Sequence, residues 1–426
     1  MSITAIVGAN WGDEGKGKLT DALAAAADIV IRFQGGANAG HTIVNQYGKF
    51  ALHQLPSGVF HSHVVNVIGN GAVFSPENFR DELAALEQAA VPRPRLLLSE
   101  RAQLVMPYHK LFDAYEEQRL AGRSFGSTRS GIAPAYADKF AKTGFQLCEL
   151  LEADSYLADK AAAVCAVKNT LLEHLYHQPL LDPAAVAATL REYRELLKPY
   201  IGDSFAYLHQ AVREGKRILL EGQLGALKDV DFGIYPMVTS SNTIAAYGAV
   251  GAGLPPGHIG RIIAVVKAYS SAVGGGEFVS EIFGEQADEL RKRGGDGGEY
   301  GATTGRPRRM GWLDLVASRY GVRVQSATEV AFTVLDALSY LPQIPVCVAY
   351  EIDGEQTTDF PATPRLKKAR PVLKVLEGWN CDIRGVSDYH KLPQAAREYI
   401  EFAERFIGVP FSSIGNGPRR EHVIRR

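Results

Sequence analysis

Cysteine is scarce. Four residues in 426, Cys148, Cys165, Cys347 and Cys381, are too few and too scattered for a disulfide scaffold or a thiolate metal cluster. A reduced, cytoplasmic compartment is expected. No apolar run reaches the ~18 residues of a membrane-spanning helix. The N-terminus "MSITAIVGANWGDEG" lacks the basic region of a signal peptide. Neither sign of charge dominates: 46 Lys and Arg face 47 Asp and Glu, for a net charge of −1. That excludes a global pull toward nucleic acid or anionic lipid, and neither is expected as a partner. Repeats, low-complexity tracts and linkers are also missing, so residues 1–426 read as one large unit.

One further absence is local. "GDEGKGKLT" (12–20) has the phosphate-loop frame G-x-x-x-x-G-K in Gly12, Gly17 and Lys18. The next residue should carry the hydroxyl that sits on Mg²⁺, and it is Leu19. Asp13, a hard oxygen donor inside the loop, could replace that ligand or act on a proton near the terminal phosphate. Alternatively, Asp13 and Glu14 merely charge a helix start. The complete frame around them favours the functional reading.

The context suits a phosphate loop. "ITAIVGA" (3–9) predicts a strand, and "KLTDALAAAA" after the loop predicts a helix. Further strands are predicted at 28–36, 63–73, 217–222, 261–269, 330–338 and 345–352. Several are apolar throughout, as strands covered on both faces should be. A helix is predicted from Pro76, the stretch from about 108 to 215 reads as mainly helical, and 389–408 reads as a late amphipathic helix. The fold class is therefore α/β: a large, mostly parallel sheet with surrounding helices and a helical insertion.

Three other segments carry chemistry. In "QGGANAGHT" (34–42), glycines permit close backbone approach to a ligand, and His41 could donate to a phosphate or leaving-group oxygen. In "YGATTGRPRR" (300–309), Thr303 and Thr304 supply hydroxyls while Arg306 and Arg308 supply donor forks, a mixture suited to an anionic small substrate. "VTSSNT" (238–243) is either a second polar binding segment or only a turn.

These segments, with "PAYADK", "DVDFGIYPMVTSSNT", "KAYSSAVGGGEF", "GATTGRPRRMGWLD" and "IGNGPRR" in that order, resemble the adenylosuccinate synthetase family from about residue 4 to 424. The resemblance implies ligation of IMP and L-aspartate at the expense of GTP, through 6-phosphoryl-IMP, by a homodimer with one Mg²⁺ per subunit. It implies that Asp13 is both general base toward IMP N1 and Mg²⁺ ligand, that the Gly40 carbonyl is a second ligand, and that His41 and Lys16 assist phosphoryl transfer. It places GTP on Gly12, Asp13, Glu14, Gly15, Lys16, Gly17, Lys18, Gly40, His41, Thr42, Arg308, Asp336, Gly415 and Gly417. IMP falls to Asn38, Thr128, Lys142, Gln223, Leu224, Thr239 and Arg306. Aspartate falls to Gly301, Thr303, Thr304 and Arg306.

Several positions depart from the family pattern. The guanine-reading T-K-L-D is Thr333, Val334, Leu335, Asp336, without its lysine, and Gly415 replaces a serine. The family's G-A-Q-G is Gly222, Gln223, Leu224, Gly225, with the glutamine shifted one place. Lys142 replaces an arginine that crosses the dimer interface, and Ala272 replaces another arginine. These changes bear on which purine is accepted rather than on the reaction class. A phage-associated branch that makes a 2-aminoadenine precursor usually has serine at the loop aspartate, whereas this chain keeps Asp13. Two alternatives stand beside the leading one: the same chemistry on another purine monophosphate, and a nucleotide-binding regulatory protein without ligase activity.

Overall fold

The apolar runs read from the sequence become neighbouring strands of one sheet in the computed structural model, which describes residues 3–38, 40–272, 274–295, 297–301 and 305–426. In chain order the strands are β1 (Ile3–Gly8), β2 (Ile29–Arg32), β3 (Val65–Ile68), β4 (Arg95–Ser99), β5 (Ile201–Gly202), β6 (Ile218–Gly225), β7 (Ile259–Lys267), β8 (Glu329–Thr333), β9 (Phe411–Gly415) and β10 (Val423–Arg425). Across the sheet they run β10-β9-β8-β7-β1-β6-β2-β3-β4-β5. Neighbours are parallel except the edge pair β9 and β10. Central β1 is apolar on both faces because both are covered: Ala5, Ile6 and Val7 are fully buried, with Ala5 between Leu220 and Ile262.

The helix α1 (Lys16–Ala24) leads from the end of β1 toward β2, and packs on the hairpin formed by His41–Asn45 and Gly48–Leu52. The helix predicted from Pro76 spans Pro76–Gln88, and Ser75 caps it by accepting from the Asn78 N–H. Between 107 and 213 lie five α-helices, Pro107–Leu120, Ile132–Ala141, Asp154–Leu171, Pro183–Leu197 and Ser204–Arg213. Several of their apolar faces, through Phe112, Leu157 and Leu190, join one core with Phe74 and Leu98.

Two predicted strands come out differently. The run 330–338 is strand only to Thr333: Val334 adopts φ +58° and Leu335–Leu338 form a short turn of helix. The run at 345–352 is a strand, Gln343–Ile352, but lies outside the central sheet. It pairs antiparallel with Glu355–Thr357 and Arg370–Glu377. The cause is the Asp353–Gly354 turn, with φ +54° and +85°, whose twist suits a two-residue hairpin.

Candidate active site

Parallel α/β sheets bind ligands beyond the carboxyl ends of their strands. Here the loops after β1, β2, β6, β8 and β9 converge on two adjoining cavities of about 570 and 770 Å³. Asp13, Asn38, Gly40, Leu224 and Gly301 line both, so they form the shared wall.

The loop after β1 is built from beneath by Glu14. Its buried carboxylate accepts from the N–H groups of Asn10 (3.1 Å) and Gly12 (2.9 Å) and pairs with Lys16 Nζ. A Cβ at Gly8 or Gly225 would come within 2.5 Å of that carboxylate. The Glu14 side chain thus faces away from both cavities, and its share in the nucleotide set reduces to backbone. Gly15 at φ +99° opens α1 without a side-chain cap, so the first helical N–H groups are available to an anion. Lys18 lines the first cavity and donates to the Gly417 carbonyl at 2.6 Å; burial lowers its pKa to about 8 against the pull of Asp336 and Glu421. Leu19 packs against the core around Ile6 and Val265. The position that usually offers a hydroxyl is spent on packing.

Asp13, at φ +60°, pairs with Arg308 Nη2 at 2.8 Å. Arg308 Nη1 holds Glu299, which also accepts from Lys267 Nζ (2.6 Å) and the Tyr269 hydroxyl. Burial alone would raise the Glu299 pKa, but Lys267 and Arg308 overcome it and hold the carboxyl at about 2. Arg308 is therefore a fixed cation at the wall beside Asp13.

His41 opens the strand after the second glycine stretch, and its ring lies against α1: a Cβ at Gly17 would sit 2.7 Å from His41 Cβ. Nδ1 contacts Glu221 Oε1 at 2.6 Å, and Glu221 also accepts from the Ser57 N–H and hydroxyl. Burial lowers the His41 pKa while Glu221 opposes it. A carboxylate on Nδ1 fixes the tautomer and leaves Nε2 as the working nitrogen.

Thr333, Val334, Asp336, Gly415, Gly417 and Pro418 enclose the far end of the first cavity. Asp336 Oδ1 is buried and has no hydrogen-bond partner among the described residues. Burial raises the Asp336 pKa against Lys18, Arg384 and His422. Val334, a β-branched residue at φ +58°, holds a conformation such residues avoid. With Asp13 and Leu224 (φ +56°) it makes three strained residues on the cavity wall, and strain of this kind gathers at functional sites.

The second cavity brings in Thr128, Thr239 and Ser241, with Phe112, Tyr136 and Lys168 from the helical region. The polar segment 238–243 is more than a turn: Ser241 donates to Gln34 and Thr243 to the Gly225 carbonyl, tying it to the glycine loops. Leu224 lines both cavities, whereas Gln223 lines neither. Gln223, expected among the IMP contacts, is buried between Arg32 and Asn38 instead of on the cavity walls. Lys142 is exposed, ends the helix Ile132–Ala141 at φ +64°, and lines neither cavity of its own chain. Arg306 is exposed in the loop that Gly301 anchors through the Arg306 carbonyl, and it too lines neither cavity. Thr303 and Thr304 lie outside the described residues.

Sequence reading missed Arg32, Glu221, Lys267 and Glu299. The signal for the first three was present: each is a lone charge at or near the carboxyl end of an apolar, buried strand (IVIR, ILLEG, IAVVK). Such a charge is costly unless paired or used. Among the described residues no group of three His, Cys, Asp or Glu gathers to hold a metal, and no helix is long and apolar enough to cross a membrane.

Residues 5–424 match the family model of adenylosuccinate synthetase. The chain is 44% identical to the adenylosuccinate synthetase of Caldicellulosiruptor bescii, covering all of this chain and 99% of that one. It is 45% identical to that of Mycobacterium tuberculosis, covering all of this chain and 98% of that one. Among solved structures, the fully ligated adenylosuccinate synthetase of Plasmodium falciparum superposes with a TM-score of 0.92 at 33% identity, covering both chains completely. Succinoaminodeoxyadenylate synthetase of cyanophage S-2L, solved with dGMP and dATP, shares the fold at a TM-score of 0.63 and 18% identity, covering 100% of this chain and 95% of that one. The chain belongs to the adenylosuccinate synthetase family, ligases of purine biosynthesis that use GTP.

Proposed function

We propose that the first cavity takes GTP, the second takes IMP, and the two react across the wall that contains Asp13. The observation that carries this reading is that wall: two cavities, each large enough for a nucleotide, share a carboxylate flanked by Arg308. Asp13 takes the proton from N1 of IMP, and the resulting 6-oxyanion attacks the γ-phosphorus of GTP. The O6–P bond forms as the bond to the β-phosphate oxygen breaks and GDP leaves. As the imidazolium, with Glu221 accepting from Nδ1–H, His41 donates from Nε2 toward the transferring phosphate, and Lys16, Lys18 and the open N–H groups of α1 offset its charge. The amine of L-aspartate then attacks C6 and gives up a proton as the C6–O6 bond breaks and O6 departs in inorganic phosphate. The carboxylate of Asp13 and the carbonyl of Gly40 are hard oxygen donors on the shared wall. They fit Mg²⁺, which takes only one or two carboxylates and draws its other ligands from phosphates and water. Bound there, Mg²⁺ would neutralise charge on the nucleotide phosphates.

The loop with Gly301, Thr303, Thr304 and Arg306 receives aspartate in this reading. Lys142 serves the partner subunit of a homodimer, since it lines no cavity of its own chain. Phe140, 73% exposed and on the rim of the second cavity, suits that contact. Residues 1–426 act as one domain, with the helices of 108–215 inserted over the IMP cavity. Four free thiols suit a reducing cytoplasm.

The test is phosphate release from GTP with IMP and aspartate each omitted in turn; release that ignores either omission refutes the reading. Replacing IMP by dGMP checks whether Leu224 has changed the purine. Arg306→Leu should raise KM for aspartate by about tenfold or more and leave KM for GTP near its starting value, because a charge-assisted carboxylate contact is lost. An unchanged aspartate KM would remove Arg306 from that role.

Base choice gives a second expectation. Asp336 Oδ1 is an acceptor with no partner among the described residues, and guanine offers N1–H and N2–H where adenine offers an acceptor. GTP should be preferred over ATP, by less than a site with the family lysine gives, since Val334 adds neither charge nor reach. Asp336→Asn should cut the GTP/ATP ratio of kcat/KM by about 5- to 100-fold, the cost of leaving buried polar groups unpaired. A wild-type preference for ATP would mean that Asp336 does not read the base.

A further inference from the structure

We infer that Gln223 is a positioning residue: held by the buried Arg32, it fixes the polarity of the Asn38 amide so that Asn38 presents a donor, not an acceptor, to the cavities. This rests on the reading of the second cavity as the IMP site.

The polarity is forced step by step. A guanidinium only donates. Arg32 Nη2 lies 2.5 Å from the amide oxygen of Gln223, so that oxygen must face Arg32. Gln223 Nε2 is then turned toward Asn38, where it donates to Oδ1 at 2.7 Å. Backbone supplies an independent check, because the Gly36 N–H also donates to Asn38 Oδ1, at 3.3 Å. With its oxygen engaged twice on the inner side, Asn38 directs Nδ2 outward, and Asn38 lines both cavities. A donor at that wall suits an oxyanion or a phosphate oxygen and disfavours a ligand that presents N–H.

Packing leaves this relay little freedom. Gln223 is 1% exposed, and Gln34 Nε2 ties down its carbonyl at 2.8 Å. A Cβ at Gly35 would overlap Gln223 Nε2 at 1.4 Å, so the glycine loop is shaped around this amide. Arg32 is fully buried, and its Nε and Nη1 lack partners among the described residues. It therefore has donors to spare for a second acceptor oxygen at position 223.

That spare capacity supplies the test. In Gln223→Glu a carboxylate can engage Arg32 with both oxygens, but it has no N–H for Asn38. Asn38 must then turn its own NH₂ inward and show Oδ1 to the cavity. KM for IMP should rise about tenfold or more, with KM for GTP changed less than about twofold. Gln223→Met removes the anchor without imposing the reversed polarity and should give a smaller rise, about threefold to fivefold. In an Asn38→Ala background both effects should vanish, because the residue they act through is gone. An unchanged IMP KM in Gln223→Glu overturns the inference, as does an effect that persists in full without Asn38. If the Glu variant does not fold, Gln223→Met decides alone: a rise confined to IMP supports the relay and an unchanged KM overturns it. Should Asn38→Ala itself leave the IMP KM untouched, the cavity has been misread and the relay falls with it. An IMP KM raised by Asn38→Ala but not by Gln223→Glu condemns only the relay.

Discussion

Asp13→Asn is expected to abolish turnover without unfolding the protein. An amide cannot accept the N1 proton of IMP, and loss of a positioned general base lowers the rate by about 10²–10⁴-fold. The amide is also a poorer ligand for Mg²⁺ than the carboxylate, so the drop should sit toward the upper end. The fold should survive for two reasons. Asp13 holds φ +60°, a region that Asn enters as readily as Asp. The Asp13 side chain is 25% exposed and Arg308 keeps its pairing with Glu299, so the lost ion pair removes little stability. The measurement is kcat for adenylosuccinate formation alongside a thermal unfolding curve. A folded variant that turns over near the wild-type rate would take Asp13 out of the proton transfer.

The architecture was legible because parallel strands buried on both faces write themselves as unbroken apolar runs. β1, β2, β6 and β7 were all found that way. The loop that holds Gly12, Gly17 and Lys18 was legible for a different reason: that spacing calls for a turn between a strand and a helix, and it lies between β1 and α1. What failed did so where one residue decides the geometry. Val334 in the left-handed region ends β8 and turns Leu335–Leu338 into a short helical turn at the first cavity, although the sequence there reads as continuous strand. Asp353–Gly354 converts an apolar strand into half of a hairpin, and that dipeptide was in plain sight.

Gln223 is the sharpest case. A glutamine one place from its usual position invites the thought that it substitutes for the lost one. The backbone decides otherwise: β6 is irregular between Glu221 and Gly225, with Leu224 in the left-handed region at φ +56°. Leu224 reaches the cavities and Gln223 is buried behind Asn38. The Asp13–Arg308–Glu299–Lys267 chain was invisible for another reason. Its members are distant in sequence, and only the approach of β7, Glu299 and Arg308 to the loop after β1 brings them together.

Glu299→Gln should be the most damaging change to stability among those considered. The carboxylate is fully buried and neutralises two cations, the buried Lys267 and the partly buried Arg308. Removing one partner of a buried pair leaves an uncompensated charge and costs about 3–5 kcal/mol. The dependence on pH has a definite sign. In the wild-type chain the folded pKa of Glu299, about 2, lies below its ordinary value of 4.5. Its contribution is therefore complete above 4.5 and is lost as pH falls through 2. That difference corresponds to about 3 kcal/mol. In the variant the sign reverses and the titrating group is Lys267. Burial already lowers its pKa and Glu299 opposes that shift; without Glu299 the pKa falls further. The folded state then binds fewer protons than the unfolded one, so the variant should regain stability as pH rises. Adding Lys267→Met should recover part of the loss by removing the stranded charge. Denaturant melts of wild type, Glu299→Gln and the double variant, taken from acid to alkaline pH, measure all three effects. A single variant within about 1 kcal/mol of wild type near neutral pH would show that the network is not held by charge. A deficit that grows toward alkaline pH would show that Lys267 is not the group left unpaired.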